Sequence, residues 1–184
     1  MNWLHRYLAG TVDWGCSFEP DPHNDDLVRA HYYSDADFLG DKVRRRSTNR
    51  FAAMAFGGAT SWTSKAQTRT AKSTAESELA ALCYAAAETR TFNQFWEEIA
   101  HPECIPAYLS CNNQVAIAFA NSHPCTTMIK YFKRDYFFVK DKVDLGKLTV
   151  HSIPSADNVA DLFTKPLKLP LFQKHINTLN IHAP

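Results

Sequence analysis

The segment "YLSCNNQVAIAFAN" (108–121) decides how this chain is read. Residues 107–111 form a short apolar run of strand character, and the Ala- and Ile-rich run from 113 onward is helical. Only Asn112 and Asn113 stand at the joint. In α/β proteins ligand chemistry gathers at the carboxyl ends of strands. Here that position holds two amides, and Asn is a poor acid, a poor base and a weak metal ligand. The joint therefore marks a functional position and withholds a carboxylate from it.

Working upstream, "STAESELAALCYAAAETRTFNQFWEEIA" (73–100) predicts one long helix. Ser73 and Glu76 form a capping box, and the residues that follow are strong helix formers. Leu79, Leu82, Cys83 and Ala86 make one stripe, continued by Phe92, Phe95, Trp96 and Ile99. Before it, residues 27–38 alternate with period two, "FAAMAF" (51–56) is apolar on both faces and stops at Gly57-Gly58, and "SWTSKAQ" (61–67) reads as the returning strand. Downstream, a helix is expected over about 131–145, a strand over 147–153, and a short helix within 154–170 that Pro166 cuts off. The order is three strands, helix, strand, two helices, strand, helix.

A chain of 184 residues with 45% hydrophobic content buries one good core. Three regions are expected: an N-terminal piece with an acidic, proline-containing linker (1–26, ending in "EPDPHNDD"), a main domain (27–166) and a C-terminal tail with a short helix (167–184). Twenty basic residues against nineteen acidic ones leave the whole-chain charge silent about partners. Its distribution speaks more. "KVRRRSTNR" (42–50) holds five cations and no anion, and "KYFKR" (130–134) adds three beside two aromatics. Such runs are either solvated faces or a rim that grips phosphates. Cys16, Cys83, Cys104, Cys111 and Cys125 include no CxxC pair, which argues for a reducing, intracellular setting. No apolar run approaches the ~20 residues of a membrane span, so no membrane partner is expected.

Three acids sit beside apolar residues, where a lone carboxylate is costly: Asp35 near the end of the first long strand, Glu78 early in the long helix, and Asp161 in the last short helix. Taken singly, each has an ordinary explanation as turn residue, helix acid or surface acid. Glu76 is occupied in the cap, which leaves Glu78 the freer of that pair. Tyr136, Phe137 and Phe138 are expected in the core.

Order gives these residues more weight. "YYSDADFLGD" (32–41), "SWTSKAQTRTAKSTAESELAAL" (61–82), "YLSCNNQVAIA" (108–118) and "IPSADNVADLFTKPL" (153–167) together resemble the ribonuclease H domain that ends the Pol polyprotein of copia-type LTR retrotransposons. "RYLAGTVDWG" (6–15) resembles the last piece of the preceding reverse transcriptase region. The resemblance runs from about Leu4 to Leu169. It implies an α/β RNase H-like fold, a five-stranded mixed sheet with three antiparallel strands first and helices on both faces. It also implies four carboxylates around two divalent ions, Mg²⁺ with Mn²⁺ as a substitute, that hydrolyse the RNA strand of an RNA–DNA hybrid.

Carried onto this chain, the catalytic positions are Asp35, Glu78, Asn112 and Asp161, and the metal ligands are Asp35, Glu78 and Asp161; Asp37 and Asp157 rank below them. Asn112 stands where the family has Asp, and Asn113 and Gln114 match the family pattern, so the register is sound. Loss of one of four charges is expected to abolish most cleavage while the fold survives. Tyr131 replaces a family His, whereas Lys130 is matched. Arg44, Arg45, Arg46, Lys65, Arg69 and Lys130 are the expected nucleic-acid contacts, with Lys72 nearby. The implied partners are an RNA–DNA hybrid and the upstream reverse transcriptase region, in a cytoplasmic virus-like particle or the nucleus. The competing expectation is a domesticated fragment that binds nucleic acid or protein without catalysis.

Overall fold

The computed structural model describes residues 2–18, 29–41, 43–99, 105–121, 137–163 and 166–184. A short helix α1 (Trp3–Gly10) and a two-residue strand β1 (Gly15–Cys16) precede the meander β2 (His31–Asp41), β3 (Arg46–Ala55) and β4 (Gly58–Ala66). The long helix α2 (Thr74–Glu98), strand β5 (Ala107–Cys111) and helix α3 (Gln114–Asn121) follow. Residues 137–144 form α4, which leads into β6 (Leu148–Ser152). Two 3₁₀ turns (Ser155–Asp157 and Val159–Phe163), helix α5 (Leu169–Thr178) and strand β7 (Ile181–His182) complete the described residues.

The main sheet has the order β4-β3-β2-β5-β6, with β2, β3 and β4 antiparallel and the β2–β5 and β5–β6 pairs parallel. This is the mixed five-stranded arrangement expected from the order of elements. The β3–β4 hairpin turns on Phe56 and Gly57, both at positive φ (56° and 76°), as a two-residue turn joining right-twisted strands requires. Phe56 accepts that strained backbone while its ring packs 5.6 Å from the Trp96 ring. Gly58 then opens β4 beneath the N-terminal segment. A Cβ there would lie 2.4 Å from the Ser17 carbonyl oxygen, so the close approach admits only glycine.

The two faces of the sheet bury unequal cores. On one face Tyr32, Phe51, Leu82, Leu109, Val139 and Leu148 join α2, α3 and α4 to the strands. Each fully buried leucine there contributes about 1.5–3 kcal/mol by leaving water. On the other face a smaller cluster of Ala52, Ala59, Val159 and Leu179 lies under the 3₁₀ turns and the C-terminal segment. The expected capping box at the start of α2 is half realised. Ser73 Oγ accepts the Glu76 N–H at 3.2 Å, but the Glu76 carboxylate reaches past Ser73 to the Lys72 N–H at 2.5 Å.

One expectation needs correction. Phe137 and Phe138, placed in the core on sequence grounds, are 48% and 37% exposed. The stripe of α4 that packs inward runs through Val139 and Val143 instead. A helix buries residues four apart, so two adjacent aromatics cannot both share that stripe. Tyr136 lies outside the described residues. The N-terminal and C-terminal segments also meet. β1 pairs antiparallel with β7, and Asn180 Nδ2 donates to the Ser17 carbonyl at 2.8 Å.

Candidate functional site

The sheet register builds the site. Asp35 on β2 lies directly opposite Arg50 on β3, and both are buried. Arg50 Nη1 stands 3.8 Å from Asp35 Oδ2, and Nη2 donates to Asp37 Oδ2 at 3.2 Å. Burial pulls the Arg50 pKa down, and the negative charges of Asp37, Asp35 and Asp161 oppose that pull. So the guanidinium pairs with the two acids of β2 and lies within the field of Asp161.

Glu78 enters from α2, on the far side of the sheet from the 3₁₀ turns. It is buried, and its carboxyl pKa is pushed up to about 8. Burial is the main cause, the nearby charges of Asp35 and Asp161 add to it, and a hydrogen bond from the Ala36 backbone and the Arg50 charge act against it. Asp161 is held by its own short turn. Fully buried Asn158 donates to the Ser34 carbonyl at 2.9 Å while its Oδ1 accepts the Ala160 N–H at 3.2 Å, which ties the Asp161 turn to β2. The same fields reach the end of β5. Cys111 is pushed up to about 12, chiefly by burial, with Glu78 and Asp35 contributing.

The opening asparagines then separate into two tasks. Asn113 Oδ1 accepts the Ala116 N–H at 3.0 Å and caps α3. Asn112 Nδ2 donates to Ser155 Oγ at 3.0 Å, linking the end of β5 to the first 3₁₀ turn. An amide makes that bond without charge and brings no negative oxygen to the acids.

The structure thus brings Asp35, Glu78 and Asp161 within each other's electrostatic reach, with Asn112 at the adjoining strand end. Asp157 is directed elsewhere, into an exposed ion pair with Lys174. Arg44, Arg45 and Arg46 are exposed at the β2–β3 hairpin, and Lys65, Arg69 and Lys72 are exposed at the β4–α2 corner. Arg69 also lines a cavity of about 280 Å³ with Asn49, Gln67 and Tyr84. Lys130 lies outside the described residues.

Sequence reasoning missed two residues. Arg50 was the last cation of the basic run 42–50, yet it is only 4% exposed and points into the acids. Its signal was its position, one charge directly before the apolar run "FAAMA". Asn158 gave no signal, because its role rests on a contact 124 residues away.

Two divalent ions require several carboxylate oxygens converging on the same point. Among the described residues no three His, Cys, Asp or Glu side chains come together in that way. One of the four expected donors is an amide, and the acids on β2 already share a guanidinium. The donor set as arranged does not fit the two ions.

No family model matches the chain. Its sequence is 28% identical over 176 residues to the retrovirus-related Pol polyprotein from transposon RE1 of Arabidopsis thaliana, covering 96% of this chain and 12% of that protein. It is 30% identical over 185 residues to the retrovirus-related Pol polyprotein from transposon TNT 1-94 of Nicotiana tabacum, covering 100% of this chain and 13% of that protein. The chain therefore spans only 12–13% of the length of these curated relatives. Among solved structures, LC11-RNase H1 isolated from compost matches with a TM-score of 0.54 and 14% identity, over 74% of this chain and 93% of that one. At that identity the likeness speaks for the fold. Along its whole length the sequence is thus similar to one part of retrovirus-related Pol polyproteins of plant transposons, and the sheet order together with the likeness to LC11-RNase H1 gives it an RNase H-like fold.

Proposed function

We propose that this domain holds an RNA–DNA hybrid and does not cut it. The observation that carries the reading is Asn112, an amide at the strand end where hydrolysis needs a third acid. In an intact centre of this kind, Mg²⁺ or Mn²⁺ activates the attacking water and steadies the leaving oxygen. In this chain the roles left to its own residues are binding and positioning. Arg44, Arg45, Arg46, Lys65 and Arg69, with Lys130, grip phosphates, while Asn49 and Tyr84 beside Arg69 offer polar and aromatic contacts to the sugar edges of the hybrid. The domain acts with the upstream reverse transcriptase region of its parent polyprotein, in a cytoplasmic virus-like particle or the nucleus.

The test is a labelled RNA–DNA hybrid incubated with the native chain in Mg²⁺ and then in Mn²⁺. A stable complex with no cleaved RNA is the expected result. Efficient cleavage by the native chain would overturn the reading.

A second reading has its own support. α1 leaves Trp3, Leu4, Tyr7 and Leu8 between 49% and 81% exposed, an apolar face suited to protein contact with the preceding reverse transcriptase region. It accompanies hybrid binding and does not replace it.

A further inference from the structure

We infer that Arg50 is a built-in counter-ion that closes the carboxylate cluster to divalent metal, independently of Asn112. The inference rests on reading the cluster as the remnant of a hydrolytic centre, and it adds a second lock to that centre.

Consider what faces the guanidinium. Asp35 and Asp37 approach it from β2, and the charge of Asp161 reaches it from the 3₁₀ turn. Glu78 is coupled to it from α2. With the residue only 4% exposed, the cation is not a solvent-facing arm that swings aside to meet phosphate. Arginine also keeps its charge under all ordinary conditions, so it cannot vacate the cluster by losing a proton. A divalent ion seated among these acids would have to expel the guanidinium or lie beside it. Expulsion leaves a buried cation stripped of its partners, and cohabitation sets like charges together; both are costly.

Charge counting gives the same answer. Against a centre of four acids, Asp-to-Asn at 112 removes one negative charge and Arg50 supplies one positive charge. Both changes act in the same direction. Restoring the acid at 112 corrects only the first.

The deciding experiment titrates Mn²⁺, without nucleic acid, against the native chain, N112D, N112D/R50Q and N112D/R50K, following free Mn²⁺ by electron paramagnetic resonance. The native chain, N112D and N112D/R50K are expected to show no saturable site. N112D/R50Q is expected to show a saturable Mn²⁺ site, at least about tenfold tighter than any binding by N112D, because the competing charge is gone; a folded N112D/R50Q with no saturable site overturns the inference. A saturable site in N112D as tight as that of N112D/R50Q overturns the inference. Should the Gln variant fail to fold, N112D decides alone. A saturable Mn²⁺ site there, abolished by adding D35N, overturns the inference, and its absence supports it. The two readings fail separately. Cleavage by the native chain removes the proposed function. Metal binding and cleavage by N112D alone leave that function standing and remove the lock at Arg50.

Discussion

Asp35 and Glu78 belong to one cluster of acids, yet the fold treats them in opposite ways. Asp35 faces a buried cation across the β2–β3 ladder, 3.8 Å away. Glu78 enters from α2 into the field of Asp35 and Asp161, with Arg50 the weakest of the influences on it, and its pKa rises to about 8. A single guanidinium cannot satisfy a cluster fed from both sides of a sheet. It pairs with the acids of the adjacent strand, while the charges of Asp35 and Asp161 still raise the pKa of the helix acid.

The difference can be broken at Glu78 first, where the largest effect is expected. The folded pKa lies above the ordinary value of 4.5, so between about pH 5 and 8 the unfolded chain releases a proton that the folded chain retains. Stability at this residue is fully present below that window, falls as pH rises through it, and is lost above it. E78Q is therefore expected to stabilise the domain at pH 9 by roughly 2–4 kcal/mol and to change little at pH 5, read by urea denaturation at both values. Equal effects at the two pH values would mean that Glu78 is ionised throughout.

The opposite sign is expected at Asp35. D35N removes a partner from a buried cation and should cost about 2–3 kcal/mol at pH 7 in the same measurement. If it stabilises the domain, mutual repulsion of the acids outweighs the pairing with Arg50, and the contrast collapses.

A smaller effect sharpens the contrast between the buried arginine and its exposed neighbours. Arg44, Arg45 and Arg46 stand in solvent four to six residues before Arg50. Changing all three to Ala should weaken hybrid binding and reduce the slope of log affinity against log salt by about 2–3, as expected for lost phosphate contacts. An unchanged slope would move the phosphate rim elsewhere on the surface.

These residues also show why parts of the molecule could be read in advance. β5 spans the run expected for it, residues 107–111, because a short apolar stretch bounded by Pro106 and the two asparagines has clear limits. Ser73 caps α2 as its Ser-x-x-Glu pattern indicates. Such features depend on neighbours in sequence. Arg50 was hidden because the fifth cation of a basic run has the same composition as the other four. Only strand register turns it inward, since successive side chains on a strand alternate between faces.

By itself, the sequence determined the order of the main strands and helices, the placing of Asp35, Glu78 and Asp161 on them, and the amide Asn112 at the end of β5. Local patterning and motif order suffice for these, because each is written within a short window. Tertiary structure alone decided that Arg50 joins the acids, that Asn158 ties the Asp161 turn to β2, and that Gly15–Cys16 pairs with Ile181–His182. Those contacts join residues far apart in the chain, and their energies arise only once the sheet has excluded water from between them.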